Sequence, residues 1–171
     1  MTAKDVPLKL RGIRLMENND ILRRLRYAFD FSDSEMSGIF KLAGHDISES
    51  SIPDIIKREE DDGYIETSDT VLGLFLDGLI ILKRGKKEKP ASEPAVKTDV
   101  TLSNNMILKK LRIALAFKEN DMFEMFRLSE FEITKPELSA IFRKKGQKNY
   151  KVCGDQIVKK FIKGLTVYNR K

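Results

Sequence analysis

Two side chains stand out for the chemistry they can carry, because each occurs once in 171 residues: His45, which can move a proton near neutral pH, and Cys153, a nucleophile when ionised. Together they would make a catalytic cysteine–histidine couple or half of a zinc site. They fall in different halves of the chain, and the equivalent positions of the other half hold Phe131 and Thr67. His45 therefore reads as a loop or helix-end residue, and Cys153 as a small filler. No Gly-x-Ser-x-Gly, Walker or Gly-x-Gly-x-x-Gly stretch occurs, so serine hydrolases and the common nucleotide-binding loops have no signature here. The acidic run Glu59-Glu60-Asp61-Asp62-Gly63 has carboxylates enough for calcium, but counting back from the glycine puts Arg58 at the first ligand position. It reads as a solvated turn. The expectation is of a chain that is not an enzyme and uses no metal and no cofactor.

Charge offers a second kind of chemistry. ITKPELSAIFRKKGQK, Ile133 to Lys148, has the polar start and inward apolar residues of the second helix of a helix–turn–helix, and it ends in Arg143, Lys144, Lys145 and Lys148. Cations so placed suit phosphate or an acidic protein surface, with Lys135 and Ser139 nearest a DNA groove. ISESSIPDIIK, Ile47 to Lys57, follows the same pattern but runs into four acids that phosphate would repel.

These elements belong to a duplication. NNDILRRLRYA, from Asn18, returns as NNMILKKLRIA, from Asn104, and one offset of 86 lays 18–85 on 104–171 without a gap, with about 19 of the 68 positions identical. Apolar residues at three-and-four spacing predict an amphipathic helix from Ile21 through Phe29, with the asparagines as N-caps. A second helix is expected from about Ser34 to Ala43, stopped by Gly44. A third begins near Ser48 as cap and buries Ile52, Ile55 and Ile56. The fourth starts at Ser68 or Asp69 and carries Val71, Leu72, Phe75, Leu76 and Leu79 inward. The fold class is all-α: two tandem four-helix repeats packed as a helical bundle. Gly78 and Gly164 lie inside the last helix of each copy, which calls for a neighbour too close for a Cβ. Residues 1–16 form an N-terminal extension outside the pattern, probable disorder or a non-native segment being the expectation. Repeat one is 17–85, a charged linker with two prolines is 86–102, and repeat two is 103–171.

The copies differ in charge. Residues 18–85 are net −6 and residues 104–171 net +9, so the overall +6 hides a dipole that favours contact between the repeats or between chains. In the last helix, Gly73, Leu74 and Asp77 become Lys159, Lys160 and Lys163. Leu74, Ile80, Ile81 and Leu82 give repeat one apolar surface beyond its core stripe, to be covered by the other repeat, by a homodimer partner or by a partner helix. The polar residues kept in both copies are Asn18 and Asn104, Arg26 and Arg112, Asp69 and Asp155, and Arg84 and Arg170. Capping accounts for the asparagines and aspartates, and the helix dipole for Arg84 and Arg170. Arg26 and Arg112, read as mid-helix, are expected in ion pairs with an aspartate of their own repeat. No apolar run reaches the roughly 18 residues of a membrane span, and the start lacks a signal peptide's centre, so no membrane and a cytoplasmic address are expected.

With NN-x-IL-[RK]-[RK]-LR-x-A opening each repeat, [IM]FxLxxx[DE]I[ST] after the second helix, and Gly-Leu in the fourth, the chain resembles the YehS-like family of bacterial proteins. The family's tandem domain has no assigned function. The resemblance covers about 17–171 and implies a bacterial cytoplasmic helical protein, with no catalytic residues to carry over. Glu130 and Phe131 replace Gly44 and His45, so a site at that loop would exist once. The leading expectation is a non-enzymatic module for a protein partner. The alternative is a nucleic-acid-binding protein working through repeat two.

Overall fold

The computed structural model describes residues 15–86 and 101–170. Repeat one comprises α1 (Asn18–Phe29), α2 (Asp33–Leu42), α3 (Ile52–Ile55) and α4 (Asp69–Arg84). Repeat two comprises α5 (Asn104–Leu115), α6 (Glu119–Leu128), α7 (Lys135–Ile141) and α8 (Asp155–Asn169). Among the described residues there is no strand, and the all-α fold of two tandem four-helix repeats is what forms.

Each helix follows from its sequence. Ile21, Leu22, Leu25 and Ala28 place one stripe of α1 entirely out of water. Ser32 and Glu35 form a reciprocal capping box at the start of α2, and Gly44, at φ +81°, takes the left-handed turn that ends it. The Ser68 hydroxyl accepts from the Val71 amide and starts α4, which buries Leu72, Phe75, Leu76 and Leu79.

The third helix of repeat one is shorter than expected. A 3-10 turn at Glu49–Ser51 leads into the single α turn of α3, and of Ile52, Ile55 and Ile56 only Ile52 is fully buried. The Ser48 hydroxyl bonds Ser50 and Ser51 instead of capping the backbone, and Pro53 supplies no amide. In repeat two, Thr134 and Glu137 make a proper capping box, and α7 extends to about two turns.

The repeats meet by exchange. α1 packs chiefly on α8 of the other repeat and α5 chiefly on α4, while α2 and α6 cover the remaining sides of α4 and α8 within their own repeats. Both exchanged pairs run parallel. Asp69 at the start of α4 holds the Leu102 amide just before α5, and eight residues further along both helices Asp77 pairs with Lys110. Asp155 at the start of α8 holds the Leu15 and Met16 amides ahead of α1, and Asn169 and Arg170 reach the Ala28 and Tyr27 carbonyls at its far end. Met16 and Leu102, expected in the extension and the linker, are core residues only 7% and 2% exposed. The rest of the extension, 1–14, and of the linker, 87–100, lies outside the described residues.

Gly78 and Gly164 are the points of closest approach. A Cβ on Gly78 would stand 2.0 Å from the Ile39 carbonyl oxygen, and one on Gly164 would stand 1.7 Å from that of Met125. Ile39 and Met125 are themselves related by the 86-residue step, so the same crossing is built twice. Gly73, by contrast, faces open space. Gly78→Ala and Gly164→Ala should each cost about 3 kcal/mol by forcing helices apart, whereas Gly73→Ala should gain up to about 1 kcal/mol of helix propensity. Urea denaturation of the three variants checks the contrast.

Candidate functional site

The asparagines are not caps. Asn18 and Asn19, and likewise Asn104 and Asn105, are the first two residues of their helices and are buried, while Glu17 and Ser103 occupy the cap positions. Their side chains strap down the segment that leads into the fourth helix. Asn19 donates to the Ile65 carbonyl at 3.0 Å and accepts the Thr67 amide at 2.7 Å. Asn105 does the same to Lys151 and Cys153, at 2.9 Å each. Asn18 donates to the Thr67 carbonyl and to Asp69, and Asn104 to the Cys153 carbonyl and to Asp155.

Asp69 and Asp155 thus have a different task from the capping expected of them. One carboxylate oxygen of each takes the asparagine of its own repeat, and the other takes backbone amides of the partner repeat. A charged acceptor of this kind contributes roughly 1.5–3 kcal/mol per bond. Its charge also offsets the repulsion between the positive ends of two parallel helices.

The arginines do structural work as well. Arg26 and Arg112 lie in the last turns of α1 and α5, not mid-helix, and each Nε donates to a carbonyl beyond the helix end, Phe31 and Phe117. Arg26 makes the expected ion pair, with Asp33 at 2.7 Å, whereas Arg112 lies over the Phe142 ring at 4.7 Å. Arg84 ends α4, and Arg170 crosses to repeat one, stacking on Tyr27 at 3.8 Å and standing 3.5 Å from Asp30.

His45 and Cys153 each settle into their own repeat. The His45 ring packs edge-on against Phe40, in the slot where repeat two packs Phe131 on Phe126. Cys153 is buried, and burial first, then the nearby Asp155 charge, pushes its thiol up to about 12. Among the described residues no group of three or more histidines, cysteines, aspartates or glutamates is placed to hold a metal ion. Partial loss of hydration and a hydrogen bond to Glu17 likewise push the Tyr64 phenol up to about 12.

Two surfaces have the composition of a binding site. A groove of about 330 Å³ opens at the start of α1, floored by Met16 and carrying Glu17, Asp20 and Arg23. Arg58, Glu59 and Glu60 of the acidic turn close one side, and Lys159 of α8 closes the other. Arg23 is fixed there by Asp20 at 2.7 Å and by the Ile56 carbonyl at 2.8 Å. The second surface follows α7, where Lys135, Ser139, Arg143, Lys144, Lys145 and Lys148 are all exposed. Lys135 approaches Glu119 at 3.6 Å, and among the described residues none of the other four cations has an acid within ion-pair distance. Sequence reasoning singled out the residues of the second surface and noted Lys159 only as a difference between the copies, because its place in the groove depends on the exchanged packing. The apolar candidates on α4 are largely spent on packing: Leu74 and Ile80 lie against the core, Ile81 is half-buried, and Leu82 remains 49% exposed.

Comparison with known proteins gives two matches. A family model described as a protein of unknown function, DUF1456, matches residues 18–85 and again residues 104–171. The chain belongs to the DUF1456 family. The uncharacterized protein YehS of Escherichia coli (strain K12) is 36% identical over 150 residues, which is 88% of this chain and 94% of that protein. No solved structure matches. Among the described residues of the DUF1456 chain, no helix is long and apolar enough to cross a membrane.

Burial favours the protonated form of the Cys153 thiol. Its raised value means that the stability it contributes is intact below the unfolded-chain value, 9.0, and is lost as pH climbs toward 12. Melting temperature should therefore fall over that window. Below it, Cys153 should resist thiol reagents in the native protein and label fully on unfolding.

Proposed function

We propose that this DUF1456 chain is a non-enzymatic interaction module that binds a protein partner through the basic end of repeat two. The observation that carries the reading is the cluster Arg143, Lys144, Lys145 and Lys148, exposed and without an ion-pair partner among the described residues. Like charges held together without acids destabilise a fold, and an acidic partner surface would relieve them. In repeat one the positions of Lys145 and Lys148 hold Glu59 and Asp62, so the frame itself does not require those two lysines.

A second reading, nucleic-acid binding, draws on α6 and α7, which present Lys135 and Ser139 to solvent on a capped helix beside that cluster. Against it stands the length of α7, seven residues or about 10 Å, little for a helix meant to lie in a major groove.

Immobilised polyglutamate and mixed duplex DNA separate the two. The protein reading expects retention on polyglutamate that weakens as salt rises and is lost in a variant with Arg143, Lys144, Lys145 and Lys148 changed to glutamate. Tight, steeply salt-dependent binding to DNA alone would favour the second reading. No retention on either at low salt would overturn both.

A further inference from the structure

The 86-residue step that relates the repeats is geometric as well as sequential. Gly78 against Ile39 returns as Gly164 against Met125, and the Asn18–Asp69 bond returns as Asn104–Asp155, at 2.8 Å both times. The same step carries the groove at the start of α1 onto a second surface at the start of α5. Arg23, Arg58 and Glu59 become Lys109, Lys144 and Lys145; Glu17, Asp20 and Glu60 become Ser103, Met106 and Gly146. Lys159, which closes the first groove, becomes Gly73, beside which a Cβ would meet nothing within 4 Å. The second surface therefore holds three exposed lysines, no carboxylate and an open side.

The two surfaces have also diverged in apolar residues, and in opposite senses. Next to the acidic turn stands Ile65, 77% exposed, where repeat two has Lys151. Next to Lys109, on the same face of α5, stand Met106 and Ile113, 39% and 41% exposed, where repeat one has Asp20 and Tyr27. Each surface thus pairs an excess of one charge with an apolar anchor, acidic along Glu59 to Asp62 and basic at Lys109, Lys144 and Lys145.

We infer that the basic surface around Lys109, Lys144 and Lys145 takes as its partner the acidic turn, Glu59 to Asp62 with Ile65, of a second copy of this chain. The inference rests on the reading of the basic end as a binding surface and names its occupant. Both halves of the charge complement are on the page, and all of their charged groups are exposed. Inside one chain Arg23, Arg58 and Lys159 share the groove with Glu59 and Glu60, yet among the described residues none of Glu59, Glu60, Asp61 and Asp62 has a cation within ion-pair distance. The contact joins unlike surfaces, so it is head-to-tail and builds rings or open chains of copies.

Sedimentation velocity of the full chain across a concentration series tests this. At low salt, species larger than the monomer should grow with concentration and dissolve as salt rises. Changing Lys109, Lys144 and Lys145 to glutamate, or Glu59, Glu60, Asp61 and Asp62 to lysine, should weaken association by at least about tenfold in each variant alone. Mixing the two variants should restore it, because the acids of one then meet the lysines of the other. Ile65→Asp, which leaves every lysine in place, should weaken it as well. A monomer at every concentration at low salt, or variants that fail to recover on mixing, would overturn the inference. If that monomer still binds polyglutamate, the basic end remains a binding surface and only its assignment to a second copy falls.

Discussion

Everything else in this fold depends on two carboxylates that each serve two masters. Asp69 and Asp155 start the last helix of their own repeats, hold the asparagine that opens the first helix, and accept the amides that lead into the neighbouring repeat. Parallel helices set side by side crowd their positive ends together, and these are the points where the carboxylates lie. The glycines at 78 and 164 complete the arrangement, letting α2 and α6 press onto α4 and α8 while α5 and α1 hold the opposite sides. The helices that carry the carboxylates are thus packed on both flanks.

Upon that doubled frame the surfaces have separated. Beside the apolar core, the residues kept in both copies are those that fix backbone: asparagines on loop amides and carbonyls, arginines on helix-end carbonyls, glycines at crossings. Buried positions that changed did so without gaining charge, as Ile39 to Met125 and Leu72 to Val158, whereas new charge stands at the surface or at the repeat boundary. Lys159, where the other copy has glycine, lines a groove with four carboxylates of repeat one. Lys110 reaches Asp77 across the second boundary. Part of the opposite charge of the repeats is therefore spent in holding them together. The remainder, on Lys109, Lys144, Lys145 and Lys148, stays exposed to solvent.

Much of the frame could be read before the structure. Spacing of apolar residues located the helices, the offset of 86 located the repeat, and a glycine kept twice inside a helix implied a close crossing, because no propensity argument favours it there. The misreadings of the asparagines and aspartates share one cause. Asn18, Asn104, Asp69 and Asp155 sit where capping residues sit, and local rules assign them local bonds; their partners lie about 50 residues away or in the other repeat. Spacing along a chain carries no information about which repeat supplies the neighbour. Arg26 and Arg112 went astray by a single turn, enough to turn an interior arginine into one that closes a helix end. In repeat one the third helix was shortened by serines that bond one another, a competition that periodicity does not register. The basic cluster was legible because charge is local. Lys159 was not, since its meaning lies in the groove it helps to close.

The exchange of first helices has a consequence for how the molecule moves. In an ordinary solenoid each unit touches only its neighbours and can fray by itself from the end inward. Here α1 cannot leave without baring α8 of the other repeat, and α5 cannot leave without baring α4. Opening either repeat also strips a carboxylate of the amides it holds in its neighbour. The two repeats therefore form a single cooperative unit, in which neither opens without loosening the other.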